Sequence, residues 1–217
     1  MTNAIWMISY DLDPAREEDY LQWFDTIHIP EKLARDGYTW AAHYQVVDRQ
    51  NQPTSHYIAF FGGTDSRVFY DPSPTQIKPT QTAETRDMMS CRSASQMLIL
   101  AAEWAMGDNG ERNSIEPQIN ADFITLVMCN CTGNDEDFGA WLVQEQAQRA
   151  DIDKPVVRRK YLASTGVAKH VFVQEYYAEH LPRSETIDPA IGDWAGRVSE
   201  YLSYPLGKPV AARRIWP

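Results

Sequence analysis

The segment Asp19-Tyr20-Leu21-Gln22-Trp23 recurs 118 residues later as Asp137-Phe138-Gly139-Ala140-Trp141. An acidic residue, an aromatic residue and a tryptophan keep the same spacing in both, which places the two aromatic side chains on one face of a helix. A short apolar run precedes each copy, at residues 4–10 and 122–129. Runs of this length and aromatic or β-branched content are typical of buried strands, so each half is predicted to open with a strand and a helix.

The remaining elements of the two halves also correspond. Apolar or alternating stretches predict strands at residues 39–47 and 156–163, at 56–61 and 170–176, and at 97–104 and 209–216, with second helices near 74–89 and 189–201. Each half thus has the order β, α, β, β, α, β of a ferredoxin-like unit. We predict an α+β chain with tandem repeats at 1–106 and 119–217 and a polar linker at 107–118. The alternative is two independent α+β domains, which would leave apolar residues on the second face of each sheet uncovered.

The composition limits the classes of partner. The chain of 217 residues has a net charge of -10 and a pI near 4.9. An acidic surface repels phosphate groups, so nucleic acids and anionic membranes are disfavoured. No apolar run reaches the roughly 18 residues of a membrane span and the first residues lack a basic leader, so we expect a cytoplasmic protein. Cys91, Cys129 and Cys131 are expected to be small buried residues rather than metal ligands.

A family resemblance is carried by Trp23-Phe24-Asp25-Thr26-Ile27-His28-Ile29-Pro30-Glu31 and the following Leu33-Ala34-Arg35-Asp36-Gly37-Tyr38. These segments resemble the first helix and the following turn of the dimeric α/β-barrel superfamily, in particular its EthD-like members. The resemblance implies that two ferredoxin-like antiparallel sheets face each other and form an intrachain α/β barrel. It also implies a ligand between sheet and helices, with acid–base chemistry or haem in some members. Because this fold serves many activities, it does not identify a reaction.

His28 is the first candidate catalytic residue. It is predicted to lie at the C-terminal end of the first helix, just before Pro30, where an imidazole can act as a base or hold a ligand. The alternative is a histidine that caps the last carbonyls of the helix. The second half has Gln146 at the corresponding position, which favours a site in the first half alone. Glu31 either orients the imidazole or is merely an acid in the first turn of the next helix.

Tyr10, Trp23 and His43 are the predicted ligand-binding residues. Alternation along the strands places Tyr10 on a face with Trp6 and Ile8, and His43 on a face with Gln45. The three predicted residues would form an aromatic wall with a few polar groups, as small-molecule sites do. The alternative is an aromatic core in which the polar atoms are satisfied internally.

Other polar residues are predicted to be structural. His56 and His170 begin equivalent strands, which favours a shared structural role. The basic run at residues 158–160 is expected to point outward from an edge strand, with an inward arginine that binds a carboxylate as the alternative. The sequence has no HExxH, GxGxxG, P-loop or GxSxG motif, so we predict no metal site and no cofactor.

The predicted function is binding of a small molecule. If the chain is an enzyme, we expect cofactor-free acid–base chemistry of the isomerase, cyclase or lyase type on a small carbonyl, lactone or phenolic compound, with His28 as the proton carrier. Two alternatives stay open: a non-catalytic ligand-binding or assembly protein of the same fold, and a haem-binding protein with a histidine as axial ligand. A fused repeat of this kind is expected to be a monomeric pseudo-dimer or to form a homodimer.

Overall fold

The computed structural model describes residues 4–47, 55–107, 115–146, 156–177, 196, 198, 200–207 and 209–216. The elements of the first half are β1 (Ala4–Leu12), α1 (Glu17–Trp23), a π-helical segment (Phe24–His28), α2 (Ile29–Leu33), β2 (Tyr38–Val46), β3 (Ser55–Gly63), α3 (Pro74–Ile77), α4 (Ala83–Ser90) and β4 (Arg92–Gly107). Those of the second half are β5 (Phe123–Cys131), α5 (Asp135–Trp141), a second π-helical segment (Leu142–Gln146), β6 (Val157–Thr165), β7 (His170–Tyr176), β8 (Leu202–Ser203) and β9 (Val210–Trp216).

The strands close a barrel. They pair in the order β7-β6-β4-β1-β3-β2-β9-β5, and β5 pairs in turn with β7. Each of these pairings is antiparallel. The short β8 adds to the end of β5. The predicted α+β class and the closed antiparallel barrel within one chain are therefore confirmed.

The two halves meet at two seams in the barrel. The first half contributes the neighbours β4-β1-β3-β2 and the second half contributes β9-β5-β7-β6. At one seam β2 pairs with β9, and at the other β4 pairs with β6. Two independent domains are excluded, because each half supplies the strand that pairs with the other half's edge.

Alternation along the strands separates an inner core from two outer layers. The inner core lies inside the barrel and contains side chains from both halves, such as Met7, Phe60, Leu126 and Val173. Outside the barrel, one aromatic cluster packs between the first-half strands and α1, and a smaller cluster packs against α5. Because successive strand residues point to opposite faces, one strand such as β1 contributes to the inner core and to an outer layer.

The basic run on β6 does not lie on an edge. Because β6 pairs with both β4 and β7, barrel closure leaves it no open side. Arg158, Arg159 and Lys160 are 4%, 5% and 2% exposed, so the prediction of an outward row is wrong. The inward alternative describes Arg159, whose Nε donates to Glu175 Oε1 at 2.5 Å.

His56 and His170 do not share a role. His56 precedes Tyr57 on β3 and lies on the face of Ile58, which points into the barrel. His170 lies on the opposite face of its strand, where its ring is 5.0 Å from that of Phe138 in the outer layer. The predicted equivalence of His56 and His170 is therefore wrong. The two strands correspond with a shift of one residue, and such a shift places a side chain on the opposite face of the strand.

The first helix continues past the point where the sequence predicted its end. The chain passes from α1 through the π-helical segment directly into α2, and Pro30 lies in the first turn of α2. Pro30 has no N–H to bond to a carbonyl of the preceding turn, and it lies where the run changes from π-helical to α-helical hydrogen bonding. His28 therefore lies inside a continuous helical run rather than at a C-terminal cap.

The predicted second helices differ from the observed structure. Residues 74–89 form α3 and α4 with a short 3₁₀ turn between them at Lys78–Thr80, where Pro79 interrupts the helix. Most of the helix predicted at 189–201 falls outside the described residues. No helix in the described part of the chain is both long and apolar enough to span a membrane.

The buried Arg159–Glu175 pair gives a stability prediction. The guanidinium also donates to the carbonyls of Glu116 and Gln118, and Glu175 accepts from the backbone of Asn120, so the pair ties residues 116–120 to the barrel. Glu175→Ala leaves a buried cation without its counter-charge and should lower the free energy of unfolding by about 3–5 kcal/mol. Urea denaturation measures this. Lys169→Ala, which removes an exposed pair with Asp135, should have a much smaller effect, and equal losses would contradict the assignment.

Candidate functional site

Three polar side chains form a hydrogen-bonded chain between the first-half strands and the first helix. Tyr10 projects from β1, His43 from β2 and Asp25 from the π-helical segment. Tyr10 Oη lies 2.7 Å from His43 Nε2, and His43 Nδ1 lies 3.1 Å from Asp25 Oδ1. Tyr10 and His43 are fully buried, whereas the side chain of Asp25 is 23% exposed. We call these three residues the relay.

The partners determine where the protons of the relay lie. Burial lowers the pKa of His43, and the hydrogen bond to Asp25 opposes this effect only in part. The ring is therefore neutral near pH 7 and has one N–H. A carboxylate only accepts, so Nδ1 donates to Asp25 and Nε2 accepts from the hydroxyl of Tyr10. Burial raises the pKa of Tyr10 well above its ordinary value, so the phenol keeps its proton. The relay is thus oriented from Tyr10 toward Asp25.

Asp25 connects the relay to a surface cavity. The cavity has a volume of about 580 Å³ and is lined by Pro14, Glu17, Glu18, Leu21, Gln22 and Asp25. Glu17 also accepts a hydrogen bond from the hydroxyl of Tyr57, whose ring stacks 5.9 Å from that of Tyr10. Asp25 is the relay member that lines this cavity, so a small molecule there meets the carboxylate first.

Arg92 covers the buried end of the relay. Its guanidinium carbon lies 4.2 Å from the centre of the Tyr10 ring, and its Nε donates to the hydroxyl of Tyr20 at 2.5 Å. The same residue lines a second surface cavity of about 540 Å³, together with Arg16 and Cys91. A cation over the ring face stabilises the position of Tyr10 in the layer.

The second half completes this first-half site. Strand β9 pairs with β2, and His43 lies opposite Trp216 across the seam. The indole Nε1 of Trp216 donates to the backbone carbonyl of Asp25 at 3.2 Å. The helical segment that carries Asp25 is therefore held in place by the last strand of the other half.

His28 lies in the same layer but outside the relay. Its ring is 4.7 Å from that of Trp23 and 5.3 Å from that of Phe24, and Phe24 in turn lies 4.7 Å from the ring of His43. Burial, followed by the charge of Lys32, lowers the pKa of His28 to about 2. The imidazole is therefore neutral at ordinary pH.

The other predicted site residues have distinct surroundings. Trp23 is buried in the aromatic cluster with Tyr10. Glu31 is exposed in the first turn of α2, and within the described part of the chain it makes no hydrogen bond to His28. The structure thus brings Tyr10, Trp23, His28 and His43 into one layer, and Glu31 lies on its outside.

Sequence reasoning missed Asp25, although it stands inside the quoted helix motif. A regular helix gives no reason to turn this acid toward the strands rather than toward solvent. The π-helical segment shifts the helical register at this residue, and such segments are often found at functional sites. No residue pattern in the motif predicts this shift of the helical register.

The sequence matches no family model and no curated protein. Solved structures are similar at the level of the fold. An anthrone oxidase-like protein aligns with a TM-score of 0.66 at 11% identity, covering 99% of this chain and 91% of its own. A proposed monooxygenase from Fusobacterium nucleatum aligns with a TM-score of 0.56 at 9% identity, covering 98% of this chain and 92% of its own. A mutant chlorite dismutase from Candidatus Nitrospira defluvii, in complex with cyanide, aligns with a TM-score of 0.57 at 10% identity. The alignment covers 98% of this chain and 90% of the dismutase chain.

The likeness extends over nearly the whole chain and concerns the fold alone. Identities of 9–11% carry no information about the reaction.

The low pKa of His28 predicts acid sensitivity. The folded pKa of about 2 lies below the ordinary value of 6.5. Between these two values the unfolded chain binds a proton that the folded chain does not, so stability falls as the pH falls below 6.5. His28→Gln, which introduces the amide found at residue 146, should flatten the decline of the melting temperature between pH 7 and pH 4. Parallel curves for the variant and the wild type would contradict this prediction.

Proposed function

We propose that this chain binds a small phenolic or carbonyl compound in the cavity beside Asp25 and catalyses proton transfer on it without a cofactor. The relay Tyr10–His43–Asp25 is the observation that carries the proposal. A carboxylate that lines a cavity and is backed by a buried histidine and tyrosine is an arrangement suited to general acid–base catalysis. The reaction type is an isomerisation, a cyclisation or an elimination.

Asp25 is the proposed catalytic residue. Its free carboxylate oxygen accepts a proton from an acidic C–H or O–H of the substrate and returns it to another atom of the same molecule. The N–H of His43 holds the carboxylate in one orientation, and Tyr10 fixes the tautomer of His43. His43 and Tyr10 are therefore positioning residues.

This assignment differs from the one the sequence favoured for His28. An imidazole whose pKa is lowered to about 2 is a weak base, because protonating it near pH 7 costs free energy. Asp25 lines the cavity, and His28 is enclosed by Trp23 and Phe24. We therefore place proton transfer at Asp25 and not at His28.

We further propose that the two halves are tandem repeats, at 1–106 and 119–217, of which only the first keeps the relay. The matching strand orders support this. With the strands aligned by face, Cys129 stands where the first half has Tyr10, and Lys160 stands where it has His43. Val143 follows Trp141 at the distance at which Asp25 follows Trp23. Val143 has no titratable group, so the second half lacks a carboxylate at the position that Asp25 has in the first half.

Haem does not fit the described histidines of this layer. A histidine that binds a metal generally donates its second ring N–H to an acceptor. His28 makes no hydrogen bond within the described part of the chain, and both ring nitrogens of His43 already have partners. Enzyme names among the fold neighbours support a small-molecule role at the level of the fold only.

The proposal is tested by following proton exchange. Phenolic ketones, lactones and β-dicarbonyl compounds are incubated in D₂O, and the loss of their acidic C–H signals is followed by NMR. We expect accelerated exchange for at least one compound. Asp25→Asn keeps the shape but cannot accept the proton, and should slow that exchange by about 10²–10⁴-fold.

Asp19→Asn, an exposed acid on the same helical run, is the matched control and should leave the rate unchanged. Exchange that is absent for the whole panel, or that is insensitive to Asp25→Asn, would overturn the proposed function. The first result would favour a non-catalytic binding protein.

Tyr10→Phe separates positioning from catalysis. The ring packing is kept, but His43 Nε2 loses its hydrogen-bond donor in a buried layer. We expect a loss of about 1–3 kcal/mol in the free energy of unfolding, and a smaller effect on exchange than that of Asp25→Asn. An exchange rate that falls further in Tyr10→Phe than in Asp25→Asn would place the catalytic group at Tyr10 instead.

A further inference from the structure

Lys32 is a largely buried residue whose ammonium has no counter-ion among the described residues. The residue is 6% exposed, and no described carboxylate lies within ion-pair distance of its ammonium. The ammonium lies over the ring of Trp6, 5.0 Å from the ring centre. Lysine is almost never buried in this way unless it is paired.

Three nitrogens near Lys32 are fully buried and have no partner in the described part of the chain. The indole Nε1 atoms of Trp6 and Trp23 and the Nδ1 atom of His28 are buried and have no hydrogen-bond partner among the described residues. Most buried polar side-chain atoms in native proteins are paired, so each exception calls for an explanation. We call Trp6, Trp23, His28 and Lys32 the unpaired cluster.

The members of the unpaired cluster belong to one place. His28 and Lys32 are four residues apart on a continuous helical run, which puts their side chains on the same face. Trp23 packs on His28 with ring centres 4.7 Å apart, and Lys32 lies over Trp6. Both tryptophans belong to the same aromatic cluster. Four nitrogen groups thus gather within one layer.

The charges around the cluster are positive. Burial, followed by the charges of Arg35 and Arg92, lowers the pKa of Lys32 to about 7, and the charge of Glu31 opposes this shift. Lys32 and Arg92 in turn depress the pKa of His28. A positive region buried in a chain of net charge -10 suits an anion, which would offset these charges.

We propose that the unpaired cluster binds the carboxylate of a small aromatic acid, at a site separate from the cavity beside Asp25. A carboxylate accepts several hydrogen bonds in one plane, which matches an ammonium and nearby ring N–H groups. The rings of Phe61 and Phe69 lie 5.6 Å and 6.3 Å from that of Trp6, so the surroundings favour an aromatic body over a hydrated inorganic anion. This inference does not depend on the proposed function, because it concerns binding alone.

The test is a titration that uses tryptophan fluorescence, since Trp6 and Trp23 are members of the cluster. Benzoate and phenylacetate are compared with their neutral amides, benzamide and phenylacetamide, and with inorganic phosphate. We expect saturable binding of at least one carboxylate, at least about tenfold tighter than that of its amide or of phosphate. No saturable binding, or equal binding of acid and amide, overturns the proposal. Phosphate that binds as tightly as the acids overturns its aromatic part.

Lys32→Met replaces the ammonium by an apolar chain of similar length. It should weaken carboxylate binding at least about tenfold, whereas Lys78→Met on the exposed surface should not change it. The melting temperature of Lys32→Met should stay the same or rise, because an unpaired buried charge is removed. Unchanged affinity in a folded Lys32→Met protein would overturn the assignment of Lys32.

A wild-type measurement makes the proposal independent of any variant. An anion at the cluster stabilises the charged form of Lys32, so carboxylate binding should take up a proton above pH 7 and weaken as the pH rises. Calorimetry in buffers of different ionisation enthalpy detects this uptake, and its absence at pH 8 would contradict the site. Asp25→Asn should leave carboxylate binding unchanged, which separates failure of this site from failure of the proposed function.

Discussion

Barrel closure is the constraint on which the rest of the structure depends. An open four-stranded sheet leaves unpaired backbone groups at its edges and an apolar face without cover. The β2–β9 and β4–β6 seams satisfy the edges, and the shared inner core covers both faces. The same closure brings Trp216 against the backbone of Asp25. Fold and candidate site are therefore stabilised by the same contacts.

The sequence predicts what depends on alternation. The period of two along β1 groups Tyr10 with Trp6 and Ile8, and the structure places all three in the layer outside the barrel. Barrel closure itself came from the family resemblance, because alternation does not say which strands become neighbours. The same limit explains the error at Arg158, Arg159 and Lys160, since a basic row on an edge strand and one on a closed strand have the same pattern.

The positions of two polar residues in this layer, Asp25 and Lys32, could not be predicted from the sequence for a different reason. The position of Asp25 depends on a π-helical shift, and a shift of this kind is set by packing rather than by residue type. Lys32 follows Glu31 in a segment that looks like an exposed charged turn, yet Trp6 from β1 covers its ammonium. Both facts depend on how the helical run lies over the strands, which is a tertiary property.

A comparison of the two buried lysines shows why the first layer calls for a ligand. Lys160, in the second layer, is 2% exposed, and its ammonium donates to Glu103, to the carbonyl of Tyr161 and to His170. Such a lysine is satisfied by its own chain and has a structural role. Lys32 is about as deeply buried but has no such partner among the described residues. The buried nitrogens of Trp6, Trp23 and His28 beside it have no partner among the described residues either, and a bound anion would supply that partner.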